Sequence, residues 1–336
     1  MIDDRLRRPH SAFRAVIPHS PGLDGVEQRA ATDWLRDSAP RLDALPLPGR
    51  GETARRWRTL SDIAAGDLAR ARLAEGHVDA RAILAELDAP AGAGTWGVWA
   101  AQPTKLLAER TGGGWHLHGE KDWCSGATGL DRALVSATGP DGPRLFVIEP
   151  TQAEVVPGSW PSLAMAATAS CTMRFDATVD GDAAIGGPDA YVRRAGFWHG
   201  GAGVAACWYG GCRGVAARLQ RAAGDGADAA VCAAWGRVDA RLAAASALLA
   251  RTAAEFDADP HDVTAARRAA LRLRVVVEEV AQVTMAETMS ALGAGALAHD
   301  PEHAQRIGDL QLYIRQLRTE SAAAELGVLT GSTVRS

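Results

Sequence analysis

One stretch concentrates side chains that can do chemistry: Trp115-His116-Leu117-His118-Gly119-Glu120-Lys121-Asp122-Trp123-Cys124-Ser125-Gly126-Ala127. His116 and His118 alternate, so a strand would place both imidazoles on one face. Such a pair ligates a metal when further ligands join it. The neighbouring sequence shows no third ligand, and no metal site is expected. His77 reads as a packed or solvent-facing side chain of a helix. Several other chemistries drop out. No Gly-x-Gly-x-x-Gly follows a strand and opens a helix, no Walker loop is present, and no Gly-x-Ser-x-Gly elbow occurs.

Composition narrows the setting. The chain has 336 residues, 47% hydrophobic and 23% charged, the profile of an ordinary globular protein. Lys plus Arg is 36 against 40 Asp plus Glu, a net charge of -4 that supplies no basic field for nucleic acid. No polybasic segment points to a membrane surface, and no apolar run approaches the ~18 residues of a spanning helix. Met1-Ile2-Asp3-Asp4-Arg5 lacks the apolar core of a signal peptide. Five cysteines, an odd number without a CxxC pair, argue against a disulfide scaffold or a structural zinc site. A reduced, cytoplasmic enzyme is the expectation. Ten Trp stand against five Phe and three Tyr. Trp favours sites with one wet edge or a planar ligand, although most are core fillers.

The elements that must hold these residues follow from periodicity. Residues 26–35, 57–73 and 68–87 are helix-compatible, with Leu68, Leu73, Val78, Ile83, Leu84 and Leu87 on one side of the third. After Pro90-Ala91-Gly92-Ala93-Gly94 the period shortens. Strands are expected over residues 95–99, 115–119, 132–137, 144–148 and 171–179, with turns at Gly112-Gly113-Gly114 and Gly139-Pro140-Asp141-Gly142-Pro143. This spacing describes a small antiparallel barrel or sandwich. Helical period returns from about residue 191. One helix should open at Asp259-Pro260-His261-Asp262, with Asp259 as cap and Pro260 first, and the last should run over about 302–326. Residues 1–90 thus read as an N-terminal helical domain, 91–188 as a central β-barrel and 189–336 as a C-terminal four-helix bundle, an α+β multi-domain chain.

The stretch around Trp123 resembles the Leu-x-Gly-x-Lys-x-Trp-Ile-Thr-Asn segment of the acyl-CoA dehydrogenase flavoproteins, through Leu117, Gly119, Lys121, Trp123 and a hydroxyl at Ser125. Asp131-Arg132-Ala133-Leu134-Val135, Leu73-Ala74-Glu75-Gly76-His77 and the helix–barrel–helix order extend the likeness over nearly the whole chain. The resemblance implies FAD between barrel and bundle, with Trp123 behind the isoalloxazine ring and Ser125 hydrogen-bonded near flavin N5. An aromatic face and a side-chain hydroxyl suit a flat ring with nitrogen acceptors. Ala101-Gln102-Pro103 stands where the family reads Thr-Glu-Pro, so the backbone at Ala101 and Gln102 would meet the pyrimidine carbonyls. The Gly-Ser-Asp triplet that follows in the family is replaced by Thr104-Lys105-Leu106. Tyr209-Gly210-Gly211-Cys212-Arg213-Gly214 matches the family's small-residue helix near the ring; its glycines admit a ligand or a neighbouring helix. Arg213 is the candidate anion partner there. The family's Arg-x-x-Phe-Gly pyrophosphate stretch has no counterpart.

Family dehydrogenases remove an α-proton with a glutamate, and here Leu317 falls at that place once Asp309 and Tyr313 are matched. Glu320 and His199 are the remaining candidates for a base. The resulting expectation is an FAD-dependent oxidoreductase that dehydrogenates an acyl thioester such as an acyl-CoA, or a similar small carbonyl substrate. It would assemble as a homo-oligomer. A different flavin chemistry on the same fold, oxygenation or imine formation, and a non-catalytic subunit are the rivals.

Overall fold

The computed structural model describes residues 26–331. The opening Met1–Arg5 segment and the first part of the expected N-terminal domain lie outside the described residues. Three helices come first: α1 (Val26–Asp43), α2 (Thr53–Gly66) and α3 (Leu68–Glu86). Asp67 caps α3 by accepting from Arg70 N at 2.9 Å. Helix α3 is buried on more than one side, because Leu68, Leu73 and Val78 join the helical core while Ala80, Ile83 and Leu84 pack on Trp96, Leu134 and Leu145 of the sheet. An element clasped on both sides has no need of a polar stripe.

The strands are β1 (Trp96–Trp99), β2 (Leu107–Arg110), β3 (Gly114–Cys124), β4 (Arg132–Gly139), β5 (Gly142–Ile148), β6 (Ala153–Val155), β7 (Cys171–Asp180) and β8 (Ala184–Ile185). They join in the order β6-β7-β3-β2-β4-β5-β8, with β1 paired to β4. Two features depart from the expected antiparallel barrel. Strands β1 and β2 run parallel to β4, and the path does not close, since β6 and β8 end it. The sheet still wraps a core of its own, built on Trp99, Trp115, Leu117, Phe146, Met173 and Phe175. Strand β2 carries little periodicity of its own; its pairing with β3, Leu107 opposite His118 through Arg110 opposite Trp115, is what makes it a strand.

The second helical part comprises α4 (Ala190–Arg193), α5 (Ala195–Ala222), α6 (Ala229–Ala258), α7 (Val263–Ala298, broken at Gly293), α8 (Pro301–Tyr313) and α9 (Thr319–Gly331). Helices α5, α6 and α7 pack side by side, α8 and α9 close on α7, and α2 lies along α5. A single apolar core runs from α1–α3 into these helices. Helix α7 starts later than expected. Asp262, not Asp259, is its cap, accepting from Ala265 N at 2.9 Å, while Asp259 N closes the end of α6 on Glu255 O. The last helical stretch is split, because the chain turns extended at Leu317 and buries that side chain in the core. No helix among the described residues is long and apolar enough to cross a membrane.

Candidate functional site

Along β3, Trp115 and Leu117 point into the sheet core and His116 and His118 point out. The alternation breaks near its end, where pairing with β7 slips between Lys121 and Cys124. This bulge keeps Lys121 and Cys124 both inward and throws Trp123 out, with φ at +67° and 56% of the residue exposed. A bulky residue in the left-handed region is strained, and such strain collects at working sites. Its indole meets that of Trp160 in a T-shaped pair, with centroids 5.4 Å apart and planes at 85°. More than half of the residue is left to solvent.

Ser125 follows directly. Trp99 Nε1 donates to its carbonyl at 2.9 Å, and Gly126 N donates to Thr168 O at 2.8 Å, so the turn is held from two sides. Its hydroxyl lies 2.9 Å from Ser170 Oγ, which lies 2.7 Å from Thr168 Oγ1, in turn 2.6 Å from the carbonyl of Met165. Each hydroxyl owns one proton. The three can point together toward Met165, leaving Ser125 with lone pairs outward. Ser170 can instead donate to Ser125 while Thr168 still donates to Met165, and Ser125 then offers its own proton outward. The row suits a ligand atom that is an acceptor in one state and a donor in another. Helix α8 anchors this loop through Asp309, which accepts from Met165 N at 2.5 Å and Gln305 Nε2 at 2.7 Å; burial raises its carboxyl to about 6.

Lys121 lies beneath the other rim. It is 1% exposed, donates from Nζ to Ala101 O at 2.7 Å and Ser136 Oγ at 2.9 Å, and is lowered by burial to about 8. Ala101 and Gln102 are exposed above it, and Gln102 Oε1 accepts from Thr104 N at 3.0 Å. Trp123, Ser125, Ala101 and Gln102 thus sit on segments tied to one end of β3 by Trp99 and Lys121.

The other candidates lie elsewhere. Arg213 faces a groove of about 410 Å³ between α2, α5 and α6, and its guanidinium pairs with Asp62 at 2.7 Å. The glycines beside it serve helix packing: a side chain at Gly210 would collide with Ser61 O, and one at Gly214 with Ala65 O. His199 is buried with its ring 4.2 Å from that of Phe256, and desolvation lowers it to about 4, so it is a neutral imidazole. Glu320 is exposed in the first turn of α9, and Leu317 is buried and apolar.

A second group was not singled out in the sequence. Arg72 and Asp79 on α3, Tyr191 on α4 and Arg274 on α7 are enclosed by protein, yet each keeps part of its accessible surface. Gly200 faces the Asp79 carboxylate and Gly201 the Arg274 guanidinium, which also lies 5.3 Å over the ring of Trp208. Arg72 is paired with Glu75. Arg274 Nε is buried without a hydrogen-bond partner among the described residues; desolvation raises Asp79 against the pull of Arg194, Arg56 and Arg72, and lowers Arg274 to about 10. The available signal was Arg274 itself, a cation inside the apolar run Leu271-Arg272-Leu273-Arg274-Val275-Val276-Val277. On the same helix face as Arg72 and Asp79, Gly76 approaches Val98 of β1, while Leu73 lies beside Gly126.

No protein-family model and no curated protein matches the sequence. Solved structures do match in fold. TdsC, a dibenzothiophene monooxygenase from Paenibacillus sp. A11-2 solved with FMN and indole, superposes with a TM-score of 0.71 at 18% identity, over 91% of this chain and 96% of that one. XiaF from Streptomyces sp., in complex with FADH2 and glycerol, gives 0.70 at 17% identity over 93% and 88%. Butyryl-CoA dehydrogenase from Megasphaera elsdenii gives 0.71 at 15% identity over 85% and 83%. The chain has the fold these flavoproteins share.

Proposed function

We propose that a chain with the acyl-CoA dehydrogenase fold and Trp123 held open beside Ser125 is a flavin-dependent oxidoreductase. The observation that carries the reading is the exposed indole on a strained backbone, next to a hydroxyl that can donate or accept. Bound there, a flavin supplies reversible two-electron chemistry at its ring nitrogen N5. Trp123 would cover one ring face, and Ser125 would donate to N5 when it is bare and accept from it when it carries hydrogen. The exposed backbone of Ala101 and Gln102 would hold the pyrimidine edge, with Lys121 fixing its position from below. FAD and FMN share this ring, and the reading takes FAD as the cofactor.

The substrate half of the reading rests on the enclosed polar side chains of Asp79, Tyr191 and Arg274. Three enclosed polar groups suit a small polar substrate better than an alkyl chain, whose burial is favoured by apolar walls. Leu317 cannot take a proton, and Glu320 faces solvent. These placements favour oxygen-using or imine-forming flavin chemistry over α,β-dehydrogenation of an acyl thioester. A homo-oligomer is part of the same proposal.

Titration with FAD and, separately, FMN should quench tryptophan fluorescence saturably and raise the melting temperature, since a ligand of the native state stabilises it. Trp123→Ala should weaken binding by about tenfold or more while leaving the apo melting temperature unchanged, because the ring packs on little. Absence of quenching and of stabilisation by either flavin overturns the reading. With flavin bound, anaerobic bleaching by butyryl-CoA would restore dehydrogenation; oxygen uptake by the reduced protein without such bleaching supports the oxygen-using form.

A further inference from the structure

The two histidines that point away from the sheet core lie across the strand from the proposed flavin site, and the fold gives them neighbours that the sequence does not show. Strand β2 sets Glu109 opposite His116, and β7 sets Asp176 opposite His118. His116 Nε2 lies 2.7 Å from Asp176 Oδ1, and His118 Nε2 lies 3.2 Å from Glu109 Oε1. The two rings are stacked, with centroids 5.2 Å apart and planes at 20°. Ligand atoms of Glu109, His116 and His118 all fall within 4.8 Å of one another. These groups line a surface hollow of about 540 Å³.

We propose that Glu109, His116 and His118, with Asp176 beside them, form a binding site for a divalent transition-metal ion of the zinc class. Two imidazole nitrogens with carboxylate oxygens are the donor set that zinc and its neighbours take, whereas magnesium and calcium prefer oxygen alone. The charge is complementary. Glu109 and Asp176 put two acidic side chains in the cluster, and the one Arg or Lys lining the hollow, Arg174, is paired with Glu120 at 2.9 Å. The ligands come from three adjacent hydrogen-bonded strands, so their backbones are fixed before any ion arrives and little ordering entropy opposes binding. Alternation along β3 keeps both histidines on the outer face, opposite the buried Leu117. A bound ion would tie β2, β3 and β7 together.

The test is a calorimetric titration of the metal-stripped full-length protein with zinc chloride at about pH 7.5, where most ordinary imidazoles are neutral. One ion per chain should bind, and the melting temperature should rise with zinc. His116→Ala and His118→Ala should each weaken binding by about 100-fold, and Glu109→Gln by about tenfold. All three positions touch solvent, so circular dichroism and an unchanged metal-free melting temperature will confirm folded variants. Cys232→Ser, which removes the exposed thiol, should leave the site intact. Failure to bind zinc at about 100 μM, or binding that survives both histidine substitutions, overturns the proposal. Flavin binding plays no part in either outcome, so this site and the proposed function stand or fall separately.

Discussion

Lys121 is an ammonium group kept almost entirely from water, with two oxygens to bond and no carboxylate in hydrogen-bond contact. Burial lowers it from 10.5 to about 8, so at neutral pH the folded protein holds a charge that the unfolded chain would hold more cheaply. The sign follows from the protons bound. Between about 8 and 10.5 the unfolded chain binds one more proton at this residue than the native state, so its contribution to stability rises with pH over that window. A shift of this size is of the order of 3 kcal/mol. Urea unfolding of wild type and Lys121→Met at a series of alkaline pH values should therefore differ in slope, with the rise missing from the variant. Trp123, Ser125 and the inward Lys121 were legible as a motif, because their spacing is local. Ser170 and Thr168, which orient the Ser125 hydroxyl, were not, since they reach it across 45 residues of chain from Ser170. Asp79 and Arg274 were hidden for the same reason: only the packing of α3 and of α7 on α5 makes their enclosure visible.

Helices α2 and α5 come together over glycines, and the glycines are not equivalent. A side chain at Gly210 would run into the backbone oxygen of Ser61, whereas one at Gly203 would meet Trp57 Nε1 at an ordinary 3.5 Å. Gly210→Ala should cost about 2–4 kcal/mol, because two helix backbones must separate. Gly203→Ala should be neutral or stabilising by about 0.5–1 kcal/mol, the gain of replacing a helical glycine. Urea midpoints of the two variants measure this contrast, and equal losses would show that the close approach is not what α5 requires. At this scale the sequence predicted most elements by their periods, and its misses have physical causes. Asp259 and Asp262 are both competent caps next to Pro260, and the turn of the chain chose the second. Strand β2 owes its state to its partner, and Leu317 breaks the last helix because the core takes its side chain.

For the molecule as a whole, the apolar core that passes without interruption from α1–α3 into α5–α9 makes the first helices part of the main fold. The proposed assembly is checked by light scattering at tens of micromolar, which should return a whole multiple of 35.2 kDa; a strict monomer would remove that part of the reading. The helix–sheet–helix order was legible from period alone, but not the closure of the sheet, which depends on whether the two end strands meet. They do not, and this has a bearing on how the protein meets its own kind. An open sheet presents unpaired N–H and C=O groups to any extended chain that drifts past, the usual starting point for strand-by-strand aggregation. Here the ends are β6, of three residues, and β8, of two, and β1, paired on one side only, has four. Edges that short offer almost nothing to copy. Concentrated protein should accordingly resist seeding by β-rich fibrils, and any self-association should proceed through side chains such as the exposed Leu163, leaving amyloid-type growth without a template.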